Sequence, residues 1–279
     1  MNLEEVLRQV LRAADEGDWE GAAELLREHL QEFEDAPEIH CWLGVAEREL
    51  GMDGIAYERF KRALALDPDD PYVLATAGNA IAHFADPDAE AALRAAAVTA
   101  PELPLARFFY GAYLAREGMV EDALEELEAA RSLDPSDPQI AYELGAARFL
   151  AGEVESAADA LGESVALDPD DAWSRVVFGL VLLEADRAEE GAGELSEGAR
   201  AAPEDVEAQL LAALASASVG RDDLAFEMME RARLRARQGD QDLLLAVEEA
   251  LDLGPEAADR LLRQTLGPDT LRTRLRARP

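Results

Sequence analysis

The chain has 279 residues, and 60 Asp plus Glu against 26 Lys plus Arg leave a formal net charge of -34, with 49% of residues apolar and 6% aromatic. So large an apolar share supplies a core and excludes a disordered acidic tail, while the negative excess excludes DNA binding and polybasic membrane docking and disfavours RNA. Cys41 is the single cysteine and cannot close an internal disulfide, and no uncharged apolar run reaches about 18 residues, the longest being Val176 to Leu183 and Leu210 to Gly220. The start reads as lacking a signal segment, so a cytoplasmic protein without a membrane partner is expected. Alanine makes up about a fifth of the chain and Lys61 is the only lysine, a composition that favours helices. The acid excess suits a salt-adapted source as well as an ordinary one.

In chain order a single period governs the sequence. Glycines 44, 78, 111, 145 and 179 are spaced by 34, 33, 34 and 34 residues, and prolines 68, 101, 135, 169 and 203 follow them 24 or 23 residues later. Between them stand Ala56, Ala89, Ala123, Ala157, Gly191 and Ala225, each followed four residues on by a large apolar residue: Phe60, Leu93, Leu127, Leu161, Leu195 and Met229. Ala22 and Leu26 extend the register backwards, and Gly17, Gly51, Gly118, Gly152, Gly220 and Gly254 form a second glycine phase.

A unit of this length makes two short helices, neither of which buries its apolar face alone. Small residues at the crossing let the helices approach, and the apolar residue one turn after the alanine lies on the same face. Gly51, Gly118 and Gly152 suit the left-handed position that ends a first helix. Asp67-Pro68, Asp134-Pro135 and Asp168-Pro169 stop the second helix, and Asp70-Pro71 and Asp137-Pro138 supply an N-cap with proline at the first helical position.

This pattern resembles the tetratricopeptide repeat, whose signature Leu43-Gly44, Ala56, Phe60, Ala63 and Pro68 match in one unit and Gly111, Ala123, Leu127, Ala130 and Pro135 in another. The resemblance implies an all-α fold, a right-handed α-solenoid of about seven helix-turn-helix units with a C-terminal helical cap. The units read 3–36, 37–70, 71–103, 104–137, 138–171, 172–205 and 206–239, making an array over 1–239, followed by a degenerate cap and Arg-rich tail over 240–279. The third unit lacks one residue around Ala85-Asp86-Pro87, the sixth has Asp186 and Gly191 where Gly and Ala are preferred, and the seventh has Arg237 in place of the closing proline.

Catalytic and metal chemistry find no motif. His29, His40 and His83 are scattered, and Cys41 points to another side of the helix from His40. Asp67, Asp69 and Asp70 begin like a calcium loop but lack its later Gly and Glu, which leaves a helix-cap reading. Lys61 follows Phe60 rather than a phosphate-binding glycine, no Gly-x-Ser-x-Gly elbow exists, and Glu125, Glu126 and Glu128 read as a solvated helix face. No catalytic residue, cofactor or metal is expected, and the chain is not expected to be an enzyme.

The resemblance implies a concave groove lined by places two, five, six, nine, twelve and thirteen of each unit. Carboxylates are sparse there and aromatics frequent, which singles out Trp42, Tyr72, Asn79, Phe108, Phe109, Arg116, Tyr142, Phe149 and Trp173 as partner-binding residues. Cys41, Arg48, Ala75, His83, Val176, Val177, Leu180 and Leu183 fall on the same places. Packing between neighbouring first helices competes for Tyr72, Phe108, Tyr142 and Phe149. Leu7, Leu11, Trp42, Leu105 and Phe109 stand where chaperone-tail-binding members carry polar clamp residues, which disfavours that mode. From Ala225 onward arginines balance acids, and Arg231, Arg233, Arg235 and Arg237 alternate before the end at Thr270 to Pro279. That segment reads as a helical cap with a frayed tail, or as a tail that docks on an acidic outer face or touches RNA. The expected function is a non-catalytic scaffold binding a peptide or helix of a partner protein in an aromatic-rich groove. The alternative is a regulator whose groove takes a signalling peptide or small ligand and whose basic C-terminal segment contacts a second target.

Overall fold

The computed structural model describes residues 2–276 and is all-α, with no strand among the described residues. The helices gather into two compact bodies that divide between Leu133 and Asp134. The N-terminal body holds α1 (Leu3–Asp15), α2 (Trp19–His29), α3 (Pro37–Glu49), α4 (Asp53–Ala65), α5 (Pro71–Ala82), α6 (Ala89–Thr99), α7 (Pro104–Arg116) and α8 (Val120–Leu133). The C-terminal body holds α9 (Pro138–Leu150), α10 (Val154–Leu167), α11 (Ala172–Glu184), α12 (Ala188–Ala201), α13 (Val206–Ser218) and α14 (Asp222–Arg235), then α15 (Gln241–Leu253), α16 (Pro255–Leu261) and α17 (Gly267–Arg276). Each odd-numbered helix from α1 to α13 packs mainly on the even-numbered helix after it.

The close approach within pairs has a visible cause. A β-carbon placed on Gly44 would stand 2.9 Å from the Phe60 ring, and one on Gly145 or Gly179 would stand 2.7 or 2.8 Å from the Cγ of Leu161 or Leu195. The two sequence signals are therefore one contact: the large residue of the second helix fills the space that the first helix leaves by having no side chain. Each such residue is fully or almost fully buried, and burying a side chain of this size stabilises by about 1.5–3 kcal/mol. Gly191 tightens the α11–α12 pair further, because a β-carbon there would meet the Gly179 carbonyl at 2.8 Å.

Turns repeat as faithfully as helices. Gly51, Gly118 and Gly152 have φ of 73, 81 and 82°, as the left-handed ending requires. At the same place the third and sixth units put Ala85 at φ 53° and Asp186 at φ 57°, so the backbone geometry survives the loss of glycine. The shortened third turn is held from outside: Lys61 Nζ lies 3.0 Å from Asp86 and 2.6 Å from Asp88, and the Tyr57 hydroxyl donates to Asp86 at 2.6 Å. Asp70 and Asp137 accept from the backbone N–H of Tyr72 and Gln139 at 2.8 and 2.7 Å, the caps expected for α5 and α9.

Arginines tie helices together across these loops. Arg107 bonds Glu126 at 2.7 Å and the Pro101 carbonyl at 3.2 Å, and Arg175, at the equivalent place of a later unit, bonds Glu194 at 2.8 Å and the Pro169 carbonyl at 2.9 Å. The buried Glu47 of α3 receives Arg27 of α2 at 2.9 Å and Arg59 of α4 at 3.3 Å. Beyond α14 the chain turns back: α15 and α16 pack on α13, a π-helical turn over Leu262–Leu266 follows, and α17 packs on α11. Among the described residues no helix is long and apolar enough to cross a membrane.

Candidate functional site

In the N-terminal body the odd-numbered helices α3, α5 and α7 lie side by side and share one face. Trp42 of α3 and Tyr72 of α5 stack there with ring centroids 5.6 Å apart and planes inclined by 18°, the offset arrangement that aromatic pairs prefer. Both stay half-buried, as does Phe109 of α7, whose ring meets Phe108 at 5.2 Å. Nothing in the described structure covers this row.

Basic groups gather at the C-terminal ends of the same helices. Arg48 and Arg116 are exposed, and the His83 ring is held below its ordinary pKa by burial, then by Arg116 and Arg48. Arg116 bonds only the Asn79 amide oxygen, at 3.4 Å, and pairs with no carboxylate among the described residues. Arg48 pairs with its neighbour Glu49 at 3.4 Å, so in a chain of charge -34 the Arg116 guanidinium is the one of this group that departs from the surroundings. Helix C-termini favour such cations.

Several groove expectations are corrected by burial. Phe108 is only 7% exposed and Tyr142 not at all, and Cys41, Ala75 and Val176 are likewise enclosed. All five occupy place five of their units. That place turns into the packed interior, as where Ala75 clusters with Ala96 and Ala106 and where Val176 lies close to Gly198 of α12, so its side chains are core. Burial also pushes the Cys41 thiol far above its usual range, which removes it as a nucleophile or ligand. Places two, six and thirteen, which carry Tyr72, Trp42, Phe109 and Arg116, remain reachable.

The C-terminal body presents the equivalent face of α11 and α13 differently. Val177, Leu180 and Leu183, on groove places, are buried, because the C-terminal helices lie over them. Trp173 is half-buried: its Nε1–H donates to the Tyr142 hydroxyl at 3.1 Å, and the guanidinium of Arg274 sits over its ring at 4.8 Å. Phe149 packs half-buried against the same apolar cluster. Arg263 reaches the exposed end of α11, bonding the Leu183 carbonyl at 2.7 Å and Asp186 at 3.1 Å.

The tail therefore docks on its own chain, on the first-helix face rather than on the acidic outer face that its charge suggested. Residues 277–279 lie outside the described residues. Sequence reasoning missed Arg274, Asp205 and Glu207 as a set, although Leu271 and Leu275 on either side of Arg274 already spelled one face of a helix. Among the described residues no three His, Cys, Asp or Glu gather to hold a metal ion.

Comparison with known proteins agrees with this architecture. Tetratricopeptide repeat family models match residues 7–71 and 114–177. No curated protein sequence matches the chain. Among solved structures, a chain of the APC/C hetero-tetramer Cut9-Hcn1 aligns with a TM-score of 0.71 at 16% identity over 88% of this chain and 49% of that one, so this chain spans about half of that relative. Pseudomonas aeruginosa pilF aligns with a TM-score of 0.60 at 17% identity, over 71% of this chain and 90% of that one. A thermophilic TPR protein of Thermus thermophilus gives 0.52 at 22% identity, over 64% and 98%. At such identities the likeness shows the fold, helix pairs stacked as in other proteins of this class. With the repeat signatures, the matched segments and the paired helices in agreement, the chain belongs to the tetratricopeptide repeat family.

Proposed function

We propose that the protein is a non-catalytic scaffold that holds a peptide or helical segment of a partner protein against α3, α5 and α7. Proteins of this repeat class serve generally as protein-interaction scaffolds, and the observation that carries the reading here is the uncovered row of Trp42, Tyr72 and Phe109 beside Arg48, His83 and Arg116. Half-exposed aromatics make strong anchors because they offer large rigid area at little conformational cost. The neighbouring cations select a segment that carries an acidic group next to its apolar or aromatic one.

The regulator reading needs a free basic C-terminal segment. Arg263, Arg272 and Arg274 each pair with a carboxylate of the same chain, which favours the scaffold.

Selection of a displayed random-peptide library on the intact protein tests the proposal. Selected peptides should be enriched in apolar and acidic residues, and their affinity should fall about tenfold or more on Trp42→Ala or Phe109→Ala. Charge reversal by Arg116→Glu should remove the acidic preference. Peptides whose affinity ignores all three substitutions would place the binding surface elsewhere.

A further inference from the structure

In the C-terminal body α17 lies on the face of α11, and the contacts between them are chemically specific. On α17, Leu271, Arg274 and Leu275 fall at spacings of three and four and so share one side of the helix. Both leucines are buried in the cluster that contains Val176, Val177 and Leu180 of α11. Between them the Arg274 side chain is 6% exposed, with its guanidinium over the Trp173 ring and its Nη2 2.5 Å from Asp205 and 3.5 Å from Glu207. Thr270 adds a bond from its hydroxyl to Glu207 at 3.0 Å.

A segment serving only to close the end of an array needs no such arginine. Enclosing a guanidinium carries a large desolvation penalty, repaid only where carboxylates and an aromatic face are set to receive it. Here they are set by the wall. Asp205 is fixed as the N-cap of α13, accepting from the Ala208 N–H at 2.9 Å, and Trp173 is fixed by its bond to Tyr142. The Arg274 Nε is buried without a partner, so the fit of α17 itself is incomplete. Helix α17 is moreover short, of ten residues, and short elements held by few contacts open at low free energy.

We propose that the α11–α13 face is a receptor site for an amphipathic helix of a partner protein that presents an arginine with leucines three residues before and one after it, and that α17 occupies this site in cis until such a helix displaces it. The wall supplies charge complementarity through Asp205 and Glu207, a cation-accepting ring through Trp173, and an apolar floor through Val177 and Leu180. The cis occupant lowers the apparent affinity by the fraction of molecules in which it is seated. This inference does not rest on the N-terminal face, which substitutions at Phe109 test separately.

A fluorescent synthetic peptide of residues 262–276 is the probe, titrated by anisotropy into the full chain and into a full-chain Leu271→Asp, Leu275→Asp variant. The peptide should bind the variant about tenfold or more tightly than the unaltered protein, and Glu207→Arg in the variant background should abolish that gain. Equal binding to both proteins, or a gain that survives Glu207→Arg, would overturn the proposal. Should the double variant melt with loss of helix, the full-chain Arg274→Glu protein takes its place, since it sets like charges against Asp205 and Glu207. Amide exchange in the unaltered protein gives an independent reading: α17 should exchange about a hundredfold or more faster than α11, and equal protection would make it a fixed part of the core. Light scattering closes the remaining route, because concentration-dependent dimers formed by exchanged α17 would assign the site to a second copy and reject a partner helix.

Discussion

The Cγ of Leu127 lies 2.7 Å from where a β-carbon on Gly111 would stand. Only two residues away, Phe109 is half-buried on the opposite duty, with Ala75, Ala96 and Ala106 beneath it. Gly111→Leu should therefore force α7 from α8 and destabilise by about 1–3 kcal/mol, whereas Phe109→Ala should lose less stability and weaken capture of a selected peptide by about 2 kcal/mol. Calorimetric melts and a peptide titration on both proteins check the contrast. If Phe109→Ala melts as low as Gly111→Leu, Phe109 is a core residue.

Ala85 holds a left-handed backbone that glycine holds at the same place in other helix pairs, among them those with Gly51 and Gly118. The β-carbon makes this conformation unfavourable by about 1–2 kcal/mol, partly offset by the greater chain entropy glycine has when unfolded. Ala85→Gly should raise the urea midpoint, by a net gain of about 0.5–1 kcal/mol. Asp186→Gly should gain less, because it gives up the bond from Arg263 at 3.1 Å. An Ala85→Gly protein with a lower midpoint would show that the clamp from Lys61 depends on the alanine.

Stability should increase with salt. Most of the ion pairs are exposed on at least one side, and such pairs contribute about 0–1 kcal/mol each, while the uncompensated charge of -34 repels itself over the whole surface. Screening shrinks the reach of that repulsion from about 10 Å at 0.1 M to about 3 Å at 1 M. Melting midpoints across that range should rise, and a falling series would mean that the arginine bridges outweigh the repulsion.

Acid should unseat the N-terminal body through His40. Burial lowers the pKa of this ring below 6.5, opposed by the bond from Nε2–H to the Glu34 carbonyl and assisted by Arg59 and Arg62. The Nδ1 atom is buried without a partner, so the folded state favours the neutral ring. A lowered folded pKa contributes stability that is present above the unfolded value and lost as pH falls through the folded one. Unfolding free energy should decline as pH drops below about 6.5, and the decline should shrink in His40→Gln. His83 is shifted the same way, so the difference between the two proteins, not the slope alone, isolates His40.

How far the chain could be read from its letters depended on how local the cause was. Gly111 and Leu127, Gly51, and Asp137 each act on a neighbour within one helix pair, and their period announced them. Phe108 and Phe109 are adjacent aromatics on one helix, yet one is enclosed and the other stays accessible. Periodicity puts both on the inner side and does not say how near the next helix comes. Val177 and Leu180 were legible as wall residues but not as covered ones, since their cover arrives from α17, far downstream in the sequence. Its short face of two leucines and an arginine is a weak signal beside a basic tail that charge alone assigns to the acidic exterior.

The engagement of Lys61 by Asp86 and Asp88 bears on how neighbours of this protein are to be found. It is the only lysine in the sequence, and hydrogen bonds to Asp88 and Asp86 favour its protonated form and raise its pKa above the usual lysine range. Lys61 stands on α4, so amine-directed cross-linkers and labels have no lysine to attack on α3, α5 and α7 or on α11 and α13. Acylation of Lys61, where it occurs, would release the shortened turn after α5 rather than mark a contact. Carbodiimide coupling through the many exposed carboxylates, or arginine-directed dicarbonyls at Arg48 and Arg116, are the reagents whose chemistry matches this surface.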